Sequence, residues 1–301
     1  MTNIIIPAGL AIGTMFWAQS VSRPPVNYNE IRVVFKADDM AAAHAINIGT
    51  ILAYKNGVVR STDVIVPGPW LMEAVRLLNE NPGLEVGVHL ALTSEWEGVK
   101  WRPLTHAPSL VDKNGYFFPM TVPNRNFPPG SSLLEAKPNL GEVERELRAQ
   151  IEMARRLIPR VSFLSAHMGA ATSTPELHVL TQRLSHEYRL PIQDEQKSAT
   201  WLRGIYRGID SGPEKSRKLA AKLELLGPGT YIHLDHAAVD DPEMRAIGHE
   251  GYRFVAQDRA ANVAAWTSNE VREAVRRKGI KLIHVRELFE LTTVNERRES
   301  K

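Results

Sequence analysis

The feature that most constrains this chain is a repeated change of hydrophobic period between residues 31 and 285. "IRVVFKA" (31–37) is apolar and rich in β-branched residues, the composition of a buried strand. "MAAAHAINIGTILAYKNG" (40–57) then places Ala, Ile and Leu at helical spacing, with Gly57 as its stop. The alternation continues as strand 58–67, helix 69–83, strand 84–92, helix 141–159, strand 161–167, helix 174–188, helix 213–227, strand 230–236, helix 267–279 and strand 280–285. Thr174 and Pro175 form a helix start, and Thr267 with Glu270 fits a capping box. Strands separated by helices imply a mostly parallel sheet with helical crossovers. At least six such strands in a 301-residue chain fit an α/β fold, a distorted (β/α) barrel with mostly parallel strands, better than a small open sheet. No G-x-G-x-x-G or P-loop follows a strand, so a nucleotide-binding fold has no support.

One domain, 31–291, accounts for the pattern. Residues 1–20 are apolar, uncharged and end in Ala18-Gln19-Ser20, which resembles a secretory signal segment lacking its basic start, or else a packed extension. The expected location is periplasmic or secreted if this is a signal, and cytoplasmic otherwise. The stretch is short for a span and contains Pro7 and Gly9, so no stable membrane span is expected. Residues 21–30 read as a linker and 292–301 as a polar tail. A net charge of +3 with scattered basic residues gives no case for nucleic acid. The absence of cysteine excludes disulfides, thiolate metal sites and cysteine nucleophiles. The oligomeric state stays open.

In (β/α) barrels the active site lies at the C-terminal ends of the strands. Here Asp38 and Asp39 follow the first strand, His89 lies near the end of the third, His167 closes the fourth, and Asp235 and His236 close "TYIHLDH". Each has a plain structural reading: a hydrogen-bonded strand histidine, or an acid pair capping the next helix. Those readings must hold separately at four strand ends, whereas one divalent cation explains them together. It would also make two adjacent buried carboxylates tolerable. Carboxylate plus imidazole ligands suit zinc or another first-row metal, and magnesium less well. His44, about one and a half turns beyond Asp38, falls within reach of a supporting role.

With these motifs in order, residues 31–291 resemble the YdjC-like carbohydrate deacetylase family, which includes chitooligosaccharide deacetylases. "ADDMA" (37–41) followed by Asn47 matches the family's ADDFG segment, "GVHLAL" its G-x-H motif, "PSLVDKNGYFFP" a typical segment, "FLSAHMG" its HLDSH-M-G, and "HAA" (236–238) its HPG. The resemblance implies metal-dependent removal of an acetyl group from an N-acetylated sugar, with one divalent ion, magnesium or zinc. It implies Asp39, His89 and His167 as ligands, Asp38 as general base and His236 as proton donor, with His233 its rival. Asn47, Asp235, His233 and His44 would support them. Trp96 and Trp101, in the long segment 93–140, would form either a sugar platform or loop packing. Three residues depart from the family. Ala41 replaces glycine, a mild change if the backbone is helical. Ser165 replaces an aspartate that could support a ligand. Ala237 replaces proline. The competing functions are another metal hydrolase such as a phosphoesterase, for which Lys36 and Arg102 make a poor phosphate clamp, and a non-catalytic carbohydrate-binding protein.

Overall fold

The computed structural model describes residues 29–290. The signal-like segment, all but the end of the linker, and the polar tail lie outside the described residues. The strands are β1 (Ile31–Met40), β2 (Ser61–Val64), β3 (Glu85–Leu90), β4 (Leu164–Ala166), β5 (Thr200–Trp201), β6 (Gly229–His236) and β7 (Lys281–Leu282). The helices are α1 (His44–Asn56), α2 (Leu71–Glu80), α3 (Leu140–Leu157), α4 (Pro175–Tyr188), α5 (Gly212–Glu224), α6 (Pro242–Ala246), α7 (Val255–Thr267) and α8 (Asn269–Arg277). The sheet order is β4-β3-β2-β1-β6-β5, with β7 also on β1, and every strand pair is parallel. This is the expected α/β architecture, a distorted barrel curled part-way round. β1 is its centre: β6 pairs along Ile31–Asp38, while β7 and then β2 share the other edge. All ten β1 residues are buried, so its six apolar side chains pack into the core while the charged Arg32, Lys36, Asp38 and Asp39 need partners inside the protein.

Several local expectations are corrected. Asp38 and Asp39 cap nothing: α1 starts only at His44, with Ala43 as an N-cap that offers no side-chain bond. One of its first amides, Ala45 N, is met instead by the Glu243 carboxylate, which accepts from it at 3.0 Å. Gly57 does end α1, but in extended backbone; a Cβ there would lie 2.4 Å from Trp266 O, so close approach of α7 is what requires glycine. Helix α8 is capped by Ser268, not Thr267. Helix α7 and strand β5 were not foreseen, and the last strand is only two residues long. Among the described residues no helix is long and apolar enough to cross a membrane.

Candidate metal centre and active site

In a regular strand, consecutive side chains point to opposite faces, so Asp38 and Asp39 could not share a site. The backbone resolves this. Asp39 has φ 74°, and the β1–β2 register shifts between Ala37 and Met40. This irregularity re-aims Asp39 to the same side as Asp38. Ala41 follows at φ 79°, a left-handed conformation that favours glycine, so the family's glycine is replaced at a strained position rather than a helical one. Asn47 holds that bend: its Oδ1 accepts from Ala41 N at 2.7 Å, and its Nδ2 donates to Trp70 O and Glu73.

Asp39 is the hub. Its Oδ1 lies 3.4 Å from His89 Nε2 and 3.2 Å from His167 Nδ1; its Oδ2 lies 3.0 Å from Arg259 Nη2 and 3.6 Å from His236 Nε2. The opposite ring nitrogens are tied elsewhere. Ser165 Oγ donates to Asp63 Oδ2 at 2.5 Å, so at 2.8 Å from His89 Nδ1 it accepts, and Nδ1 carries the ring proton. Asp63 Oδ2 is itself 2.9 Å from Nδ1. His167 Nε2 donates to Glu95 Oε2 at 2.9 Å. Both imidazoles thus turn their remaining nitrogen toward Asp39 Oδ1, which is buried and has no hydrogen-bond partner of good geometry; loss of the proton on each of those nitrogens leaves the lone pair that a metal ligand needs. Carboxylates fixing the far nitrogens of convergent imidazoles are the arrangement that orients metal ligands. The three donor atoms lie within 4.8 Å of one another, and the residues present fit a divalent ion.

The electrostatics follow from burial. Buried Asp39 would titrate high, but His236, Arg259 and His167 hold its carboxyl well below the usual range. Burial, then Asp63, pushes Asp38 up to about 6 against Lys36, His89 and His236. Burial alone would lower the histidines, yet Asp63 and its neighbours raise His89 to about 9, and Glu95 with Asp39 raises His167 to about 10. For His236, burial and Arg259 are outweighed by Asp39 and Asp235, and its pKa is raised. His89 and His167 are therefore cationic near neutrality when no ion is bound. Groups raised in this way add stability fully below the unfolded value of 6.5 and lose it as pH climbs through 9 and 10. Chelator-treated protein is expected to lose on the order of 3 kcal/mol per imidazole between neutral and alkaline pH. Protein saturated with a divalent ion should lose much less, because the ion replaces those protons. Thermal denaturation across pH, with and without chelator, checks this; parallel profiles would contradict it.

The structure brings together Asp38, Asp39, His89, His167 and His236. Asp235 sits beside His236, its Oδ1 accepting from His236 N at 2.8 Å and lying 3.5 Å from Nδ1. Four other predicted residues fall differently. His44 pairs with Glu73 at 2.9 Å and packs on Trp70, with no partner in the centre. His233 is buried, its Nε2 3.0 Å from Tyr206 Oη, and burial lowers its pKa. Trp101 is buried against His167, donating from Nε1 to Thr93 O, and does not line the cavity. It is packing, not a platform. Trp96 does line the cavity of about 610 Å³, but Arg259 lies over its ring at 5.0 Å and His249 stacks on it. The aromatic groups in that wall also include Trp201 and Tyr206.

Four participants escaped the sequence reading. Asp63, on β2, had the same signal as the others, a carboxylate in an apolar strand. Together with Ser165 it holds His89 Nδ1. Lys36 shares the face of Asp38 by the two-residue period of a strand, and its Nζ lies 2.7 Å from Asp38 Oδ1 and 2.5 Å from Asp63 Oδ2. Glu95, in the long loop, and Arg259, on α7, gave no signal. The adjacent acids are thus made tolerable first by the protein's own cations, Lys36 for Asp38 and Arg259 for Asp39.

Comparisons with known proteins identify the family. The sequence profile of the YdjC-like protein family matches residues 32–277. A carbohydrate deacetylase from Thermus thermophilus is 33% identical over 235 residues, covering 71% of this chain and 80% of its own length. Another from Enterococcus faecalis is 28% identical over 274 residues, covering 85% and 98%. A solved Enterococcus faecalis structure, named for cellobiose-phosphate cleavage, superposes with a TM-score of 0.69 at 26% identity, over 86% of this chain and 99% of that one. The profile spans most of the described domain, and the chain belongs to the YdjC-like protein family of carbohydrate deacetylase relatives.

Proposed function

We propose that this protein is a divalent-metal-dependent hydrolase that removes the acetyl group from an N-acetylated sugar or oligosaccharide. The observation that carries the reading is Asp39 Oδ1, buried without a hydrogen bond and faced by two imidazole nitrogens whose far sides are tied to carboxylates. Charge supports it. Asp38, Asp39, Asp63 and Glu95 are all buried, against buried Lys36 and Arg259, which leaves two negative charges when the imidazoles are neutral. One divalent ion supplies that compensation. Asp39, His89 and His167 would hold it, and two imidazoles with one carboxylate favour zinc or another first-row metal over magnesium. When bound, such an ion supplies Lewis acidity, polarising the acyl carbonyl and making a water more acidic.

The chain's own groups divide the remaining work. Asp38, beside the ligand set and held by Lys36, accepts the proton of the attacking water. The water oxygen bonds to the acyl carbon, and the C–N bond to the sugar breaks. His236, half-exposed in the cavity wall and kept protonated by Asp39 and Asp235, donates to the departing amine. The lowered pKa and Tyr206 contact of His233 favour His236 over it for this role. The cavity, with Trp201, Tyr206, Ile205 and Met168 among its walls, suits the apolar face of a sugar ring. The phosphoesterase alternative loses support: Lys36 is sealed between two carboxylates, and Arg102 lies over the Tyr116 ring at 4.3 Å.

The test is acetate release from N-acetylglucosamine oligosaccharides by native, chelated and zinc-, manganese- or magnesium-restored protein. Release that chelation removes and one metal restores is the expected result. No acetate from any oligosaccharide under any metal would overturn the proposal.

A further inference from the structure

In the proposed reaction Lys36 only holds Asp38, although it also bonds Asp63. Lys36 has a side chain with no exposed surface, and Nζ lies between Asp38 Oδ1 and Asp63 Oδ2, 5.4 Å from the centre of the Phe163 ring. Asp38, Asp63 and His89 are themselves a second set of three donor residues with ligand atoms within 4.8 Å of one another, and His89 belongs to both sets. Paired metal ions about 3.5–4 Å apart are a common hydrolytic device, and two carboxylates with an imidazole could hold the second.

We propose that Lys36 is the built-in occupant of this second cation pocket and restricts the centre to one divalent ion. The inference rests on the metal reading above. Its ammonium donates a hydrogen bond to Asp63 and forms an ion pair with Asp38, the two carboxylates that a second ion would need, and it is buried too deeply to swing aside into water. With Lys36 in place, one divalent ion already balances the buried carboxylates. A second would leave excess positive charge in a water-poor interior, which is costly. The device also has a use. It keeps Asp38 bound to a single ammonium charge rather than to a metal, so its carboxylate stays available to accept a proton. Lys36 is accordingly a positioning residue that sets the metal count.

Lys36→Met keeps the chain length and removes the charge. Chelated wild-type and variant proteins would be dialysed against zinc, and bound metal per chain measured by atomic emission. Wild type is expected to bind one ion and Lys36→Met two, with the second lost again in Lys36→Met/Asp63→Asn. One ion in both wild type and Lys36→Met overturns the role of Lys36 and leaves the metal reading standing, as do two ions in wild type. No ion in wild type overturns the metal reading itself and this inference with it. Should Lys36→Met fail to fold, manganese titration of wild type followed by electron paramagnetic resonance decides. An uncoupled signal saturating at one equivalent supports the proposal, and an exchange-coupled pair overturns it.

Discussion

Asp39→Ala is expected to abolish divalent-ion binding at the centre and to reduce acetate release to background. Asp39 is the residue on which His89, His167, His236 and Arg259 all converge. Removing its carboxylate takes away the single anionic ligand and leaves two imidazoles, so the loss in metal affinity should exceed the roughly 10–100-fold seen for groups that merely support a ligand. The variant also leaves Arg259 buried with no acceptor, since its Nε and Nη1 already lack one. A buried pair broken from one side costs about 3–5 kcal/mol, so the melting temperature should fall as well. Asp39→Asn separates the two effects: its amide oxygen can still accept from Arg259, which recovers part of the stability, while metal binding stays weak. Metal content, melting temperature and acetate release measured together check this. Full metal content in Asp39→Ala would overturn the ligand assignment.

Asp38→Asn is expected to keep its metal and lose turnover. The substitution preserves shape, and Asp38 stands beside the ligand set, its Oδ2 4.0 Å from His89 Nε2. What disappears is a proton acceptor, which is typically worth about 10²–10⁴-fold in rate. The pH profile gives an independent sign. Burial and Asp63 raise the Asp38 carboxyl to about 6 without an ion, and a nearby cation can only lower it. The base must be ionised to act, so wild-type kcat/KM should rise with pH along an acid limb at or below pH 6. Asp38→Asn should lose that limb along with most of its rate. If the variant turns over like wild type, another group is the base.

The comparison of sequence with structure is clearest at β1. The apolar run 31–37 predicted a buried strand, and parallel pairing on both sides of it places the ends of β1, β3, β4 and β6 on one rim. That is why Asp38, His89, His167 and His236 could be grouped from sequence alone. The sequence left Trp101 open between platform and packing because an aromatic residue in a long loop looks the same whether it faces substrate or packs beneath a histidine, as it does here. His44 does not contact the ligand set because helical spacing gives distance from Asp38 but not direction, and α1 turns it toward Glu73.

Periodicity is a property of near neighbours, so the order of strands and helices, the parallel sheet and the rim of polar strand ends could be read directly from the chain. The left-handed turn at Asp39 and the pairing of Asp63 with His89, Glu95 with His167 and Arg259 with Asp39 could not. Arg259 and Asp39 are 220 residues apart, and no local pattern tells one remote charge from another. Only folding, which removes water and forces every buried charge to find a partner, selects which of them meet.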